Sequence, residues 1–294
     1  MTPAYERPAT LEEALGLLSR PGAVPMFGGT DLIGQIDRGI LEPALLVDMQ
    51  HTGLHDIAQA GEGVSIGAGV TLATLAASAL VAPYTAIVSA ASSAASPILR
   101  NVGTVGGNLC QGTRCWYFRG EDWHCWLAGG DTCYAQIGDH RKHGLKPGDC
   151  ISAHPSDLAP ALAACGARVV VVSTHGQRVL DLLDLYRTPS EDNRSLITLS
   201  HGEIISEVLL PRPALQSSFR RLGERQAFSF PLVCVAAALL DGVVSAFAGG
   251  VANIPVQIDP LDPLAALPGN PQTMWKRTVL ATLTTRVLDD IANP

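Results

Sequence analysis

The chain has 294 residues, 47% of them hydrophobic and 16% charged, and a net charge of -7. A disordered chain is excluded by that apolar share, and a phosphate-binding nucleic-acid surface by the negative charge and the lack of any Lys/Arg run. No stretch holds the roughly 18 consecutive apolar residues of a membrane helix, and MTPAYERPATLEEA at the N-terminus lacks the basic and apolar regions of a signal peptide, so a cytoplasmic chain without a membrane span is expected.

Thr10 followed by Glu13 has the form of a capping box. Leu11, Ala14, Leu15 and Leu18 then predict a helix that Pro21-Gly22 ends. AVPMF (23 to 27) reads as a buried strand, Gly28-Gly29-Thr30 as a tight turn, DLIGQIDRGI as a helix and ALLVDM as a strand. DIAQAGEGVSIGAG (56 to 69) predicts a hairpin turning at Gly61 to Gly63. Thr71 then caps an alanine-rich helical stretch that ends before Ser96-Pro97.

RNVGTVGGNL (100 to 109) is a glycine-punctuated turn, and the next forty residues carry no apolar periodicity, so they read as a long ordered loop. HPSDLAPALAAC predicts a helix, ARVVVVSTHGQRVLDL a hairpin through His175-Gly176, and GEIISEVLLP a strand closed by proline. Beyond a linker near 212 to 218, FRRLGERQAF leads into two strand-like runs joined at Asp241-Gly242. A helix over 274 to 291 closes the chain. The expected class is α+β.

Three features carry chemistry. Gly28 to Asp31 lies between a strand and a helix, where bare amides and the helix's positive end suit a pyrophosphate, although the pattern is not GxGxxG and a Rossmann unit is disfavoured. Gly103 to Asn108 adds a hydroxyl and an amide beside a second such turn. Five of the seven cysteines fall between Cys110 and Cys150, where an even spread would put about one. An odd cysteine count in a long chain argues against a disulfide framework and for thiols or metal ligands. Cys115, Cys125, Cys133 and Cys150 lie ten, eight and seventeen positions apart without a CxxC knuckle, which leaves zinc and an iron-sulfur cluster both open. Cys165 and Cys234 sit in apolar runs and read as inert buried thiols.

The segments MFGGTDLIG, SPILRNVGTVGGNLCQGTRCWYFR, HPSDLAPAL, GEIISEVLLP and RRLGERQAFSFPLVCVAAAL make residues 1 to about 255 resemble the FAD-binding medium subunits of the xanthine dehydrogenase and aldehyde oxidoreductase (molybdenum hydroxylase) family, in the branch that also carries a [4Fe-4S] cluster. The resemblance implies a two-subdomain FAD-binding domain of the PCMH type over 1–213, with subdomains of about 1–54 and 55–213 and a cluster-bearing loop at 110–150. A smaller α+β C-terminal domain would follow over 216–294, shortened relative to the family.

For cofactors it implies FAD and a [4Fe-4S] cluster. Met26, Phe27, Gly28, Gly29, Thr30, Asp31, Leu32, Ile33 and Gly34 would wrap the FAD pyrophosphate; Ala95, Ser96, Gly103, Thr104, Gly107, Asn108 and Gln111 would reach the phosphates and ribityl chain. Asp157 would bind a hydroxyl of the flavin chain, Ile204 would touch the flavin through its backbone, and Arg221, where lysine is usual, would lie near the ring. Cys115, Cys125, Cys133 and Cys150 would ligate the cluster. Cys110 would pack beneath the flavin loop, and Trp116, Tyr117, Trp123 and Trp126 would keep the cluster dry. His124, His140, His143 and His154 are rival ligands within the same window, but histidine ligation of a cluster is the minority case, so they are expected to stand around it.

As to function, the resemblance implies an electron-transfer subunit of a heterotrimeric enzyme, working with a small [2Fe-2S] subunit and a large molybdopterin subunit and passing electrons through FAD to an external acceptor. Co-export with a partner would make it periplasmic. Two alternatives stand beside it: a zinc-binding interaction module without a redox cofactor, and a free-standing flavin oxidase.

Overall fold

The computed structural model describes residues 2–293. Its first part alternates strand and helix around a parallel sheet. The strands are β1 (Ala4–Glu6), β2 (Ala23–Met26) and β3 (Leu45–Asp48), ordered β1-β3-β2, and all four residues of β3 are buried. Crossovers are required between parallel strands, and α1 (Leu11–Leu18) and α2 (Leu32–Ile36) supply them. Thr10 Oγ1 accepts from the Glu13 amide at 3.2 Å as the capping pattern predicts, and Ala14 and Leu18 are the buried stripe. The second helix is shorter than its sequence suggests: Gly39 turns left-handed at φ 63° and ends it early.

The middle part holds an antiparallel sheet ordered β4-β5-β8-β6-β7, made of β4 (Ile57–Ala60), β5 (Gly63–Gly67), β6 (Arg168–Ser173), β7 (Gly176–Asp181) and β8 (Ile204–Leu210). Between β5 and β6 run α3 (Leu72–Ala77), α4 (Thr85–Ser93), α5 (Pro97–Arg100), α6 (Val105–Leu109), α7 (Trp116–Arg119), α8 (Tyr134–Ile137) and α9 (Leu158–Ala164). The alanine-rich stretch is two helices and not one, because Pro83 denies a helical amide where they would join. Every residue of α9 is buried, so its small side chains let neighbours approach closely.

A third sheet, ordered β12-β11-β10-β9, consists of β9 (Gln216–Gly223), β10 (Pro231–Leu240), β11 (Val243–Gly249) and β12 (Val256–Gln257). FRRLG, read from sequence only as a lead-in, belongs to β9. β10 is covered on both faces: Val233, Val235 and Ala237 join the core beneath α10 (Met274–Ala292), while Cys234, Ala236 and Ala238 join the large core of α4, α9 and the middle sheet. Small residues at alternate positions admit a helix layer on each side. Among the described residues no helix is long and apolar enough to cross a membrane.

Candidate cofactor site

The two glycine turns touch each other. Gly28, between β2 and α2, packs so closely on the second turn that a methyl group there would lie 2.1 Å from the Val102 carbonyl oxygen. Gly29 is left-handed at φ 63°, which only glycine adopts without strain. A methyl on Gly103 would in turn sit 3.7 Å from Thr30 Oγ1. The second turn is pinned from behind: Leu72 N donates to Gly103 O at 2.9 Å, Val105 N to Val70 O at 2.9 Å and Gly106 N to Ala68 O at 2.8 Å. Thr104 Oγ1 caps α6 by accepting from Gly107 N at 3.2 Å, and Asn108 Oδ1 accepts from the buried Ser156 hydroxyl at 2.5 Å. The amides of Gly103 and of Val105 to Asn108 are thus taken up within the protein, by Leu99, Val70, Ala68 and Thr104, and the free main-chain donors of the apposed turns are those of Gly28 to Asp31, a cradle for an anion.

Several expected cofactor residues are already engaged. Asp31 accepts from Gly112 N at 2.8 Å, Gln35 Nε2 at 2.9 Å, Arg114 Nη1 at 2.8 Å and Arg119 Nη2 at 2.9 Å, so its carboxylate faces the root of the cysteine loop. Gln111 accepts from Arg114 and donates to Asn108 O. Ser96 Oγ caps α5. Met26 and Ile33 flank Gly29, Phe27 stands edge-on to His55, and Leu32 and Gly34 belong to α2. Ile204 opens β8 within the apolar cluster that Phe27 also joins.

A cavity of about 350 Å³ lies beside the cradle, lined by Ala95 and Leu99 from the second turn's approach, Arg114 to Trp116, His143, His154 and the segment Phe228 to Leu232. Ala95 is held at φ 51° and accepts from the amide of Phe228, itself at φ 53°. Arg114 stacks over Phe230 with its guanidinium carbon 4.1 Å from the ring centroid. Of the residues expected at the flavin, Ala95 lines this cavity; Arg114, His143, Phe228 and Phe230 were not foreseen as its walls, although the AFSF segment that carries two of them sits inside one of the matching motifs.

Asp157 is 3% exposed, and burial pushes its carboxyl up to about 7 while Arg221 opposes that rise. Its Oδ2 accepts from Arg221 Nη1 at 2.9 Å; its Oδ1 has no partner. A buried carboxylate oxygen left bare is an acceptor waiting for a donor. Arg221 spends its other protons on Ser93 O at 2.8 Å and Ser229 O at 2.5 Å, so it braces Asp157 and the loop after β9.

Cys115, Cys125, Cys133 and Cys150 line one small pocket together with Tyr117, Phe118, Trp126, Leu127 and Tyr134. Burial pushes the Cys115 thiol up to about 12 and also raises Cys125 and Cys150; each of these feels at least one other thiol of the set. Cys110, Cys165 and Cys234 lie elsewhere, buried or packed against the large core. Among the described residues no three His, Cys, Asp or Glu side chains close around a single ion. Tetrahedral zinc, with bonds of about 2.3 Å, needs them to. A cluster carries its own iron and sulfide between the thiolates, so its ligands stand further apart. Four thiols, apolar walls and no carboxylate fit that group. Tyr117 and Trp126 line the pocket; Trp116 packs against the same apolar cluster and also lines the large cavity, and Trp123, 42% exposed, meets Tyr117 edge-on with centroids 5.1 Å apart. His143 reaches the Cys115 sulfur, His154 lines the large cavity, and His140 bonds Asn270.

Residues 1–213 match the family described as FAD binding domain in molybdopterin dehydrogenase. The aldehyde oxidoreductase FAD-binding subunit PaoB of Escherichia coli K12 is 37% identical over 268 residues, 88% of this chain and 84% of that protein. Quinoline 2-oxidoreductase from Pseudomonas putida 86 shares the fold with a TM-score of 0.71, 21% identity and coverage of 99% of this chain and 97% of that one. A reconstituted CO dehydrogenase from Oligotropha carboxidovorans does so at 0.73, 19% identity and coverage of 99% and 98%. With paired glycine turns, a bare buried carboxylate oxygen and this match over most of its length, the chain belongs to the family of FAD-binding domains of molybdopterin dehydrogenases.

Proposed function

We propose that this chain, an FAD-binding oxidoreductase subunit, works within a heterotrimeric molybdenum hydroxylase of the aldehyde oxidoreductase type and carries a [4Fe-4S] cluster beside its flavin. Its partners are a small [2Fe-2S] subunit and a large molybdopterin subunit. The FAD-binding domain spans 1–213 and the C-terminal domain 216–294. The observation that carries the reading is the gathering of four thiols, drawn from 36 residues of loop, in one dry pocket that shares Cys115 with the large cavity.

When bound, FAD supplies the exchange of electrons between partners and acceptor. The residues of this chain position it. Gly28 to Asp31 present amides to the pyrophosphate and Gly103 to Asn108 form the wall opposite, with Gly28 allowing the close approach of the turns. Asp157 Oδ1 takes a hydroxyl of the flavin side chain, and Arg221 holds that carboxyl in place and opposes the rise that burial imposes on it. Ala95, Leu99 and Phe228 to Leu232 enclose the ring. Tyr117, Phe118, Trp126 and Leu127 exclude water from the thiolates, which protects sulfide and shifts the cluster's potential.

Anaerobically purified complex is the test. Expected are a yellow-brown spectrum, releasable FAD, and iron and acid-labile sulfide in equal amounts. Cys125→Ser and Cys133→Ser remove this chain's four irons and their EPR signal but leave the FAD and the small subunit's iron, and flavin reduction or reoxidation slows. A colourless chain holding zinc overturns the reading in favour of the interaction module.

A further inference from the structure

We infer that His143 is a positioning residue for the cluster, donating its Nε2-H to the sulfur of Cys115, the one ligand that borders both the cysteine pocket and the large cavity. The inference rests on the cluster reading above and deepens it. His143 Nε2 lies 3.1 Å from Cys115 Sγ. The imidazole is 2% exposed and locked by its neighbours: Trp116 meets it edge-on with centroids 4.7 Å apart, Tyr117 lies 6.1 Å away at 35°, and its backbone amide is tied to His140 O at 2.9 Å. Its Nδ1 has no partner.

Proton accounting fixes the tautomer. A thiolate on iron is an acceptor only, since metal binding removes the thiol proton. The imidazole nitrogen beside it must then be the one that carries hydrogen. That leaves Nδ1 as a bare lone pair, and a buried unpaired acceptor is better tolerated than a buried unpaired N-H. Of the four thiols, Cys115 alone lines both cavities. Hydrogen bonds to cluster sulfurs set reduction potentials, because donors favour the more negative, reduced state. His143 therefore holds the flavin-side corner of the cluster and raises its potential.

The experiment compares the wild-type complex with His143→Phe, which keeps a flat ring between Trp116 and Tyr117 but has no donor, and with His143→Gln, which restores an N-H. Cluster midpoint potential is read by EPR-monitored titration, alongside iron, sulfide and FAD content. Expected is a lower potential in His143→Phe at unchanged iron and FAD, and a return toward wild type in His143→Gln. Should His143→Phe lose its cluster, the wild type labelled with ¹⁵N-histidine decides: weak coupling of one imidazole nitrogen to the reduced cluster supports the hydrogen bond, while no coupling, or the strong coupling of a direct Fe-N bond, overturns it. An unmoved potential in iron-replete His143→Phe overturns this inference alone. A wild type without a [4Fe-4S] EPR signal, its iron and sulfide accounted for by the small subunit, overturns the cluster reading and this inference with it.

Discussion

Gly28 has no room for a methyl group, since the Val102 carbonyl is backbone and cannot rotate away. Gly28→Ala must therefore push the two turns apart, at an overpacking cost of about 1–3 kcal/mol. FAD affinity is expected to fall about 10- to 100-fold, measured by fluorescence titration of deflavinated protein, with iron content unchanged. Lys276 makes a different prediction. It is 0% exposed, and its Nζ donates to Lys142 O at 2.8 Å and Gly250 O at 2.7 Å. Those are the two bonds a neutral amine can make, in keeping with burial lowering it from 10.5 to about 7. A cation depressed on folding destabilises the native state fully below the folded value and progressively less as pH rises toward 10.5. Around it, His143 is lowered to about 4 and the Cys234 thiol is raised by burial, so neither confounds a comparison between pH 7 and 9. Over that range the wild type gains about 2 kcal/mol relative to Lys276→Met, read by urea unfolding. At this scale the glycine turns are legible in the sequence because their residue types state their own backbone needs. His143 is legible only as one of four histidines near the cluster and not as the partner of Cys115, because that sulfur lies 28 positions away and neither residue's type names the other.

The elements divide the same way. The helix at Leu11–Leu18, the hairpins β4-β5 and β6-β7 and the terminal helix are legible because cap, turn and period agree within one window. β1 and β9 are not. β1 exists because Leu45 to Val47 offers it a parallel edge, and β9 because β10 pairs with it over eight positions; both are long-range pairings that override local polarity. The last helix has a task beyond its own core. Its approach and first turn grip the far limb of the cysteine loop: Asn270 takes His140, Trp275 Nε1 donates to Arg141 O at 3.0 Å, and Lys276 holds Lys142 O. Leu280, 0% exposed, anchors it beneath β10. Leu280→Ala is expected to cost about 2–5 kcal/mol, visible as a lower Tm, and to release iron to a chelator faster than it releases FAD.

Across the whole molecule the cysteine loop is the seam that joins first sheet to last. Its far limb is tied to the C-terminal sheet by Leu145 N to Val251 O at 2.6 Å and Asn253 Nδ2 to Cys150 O at 3.1 Å. Its near limb is tied to the first glycine turn through Asp31, which neutralises Arg114 and the 8% exposed Arg119. Flavin cradle and thiol pocket therefore share a support. Asp31→Ala strands a buried guanidinium, a loss of about 3–5 kcal/mol, and detaches Gly112 from α2. Were the two cofactor sites independent, the variant would lose FAD and keep its iron. Because one carboxylate holds both, FAD and the [4Fe-4S] EPR signal are expected to fall together in the purified complex, at a constant ratio of that signal to FAD, with Asp31→Asn intermediate because it keeps an acceptor oxygen but not the charge. An iron-replete, flavin-free Asp31→Ala protein would show the seam to be two separate attachments.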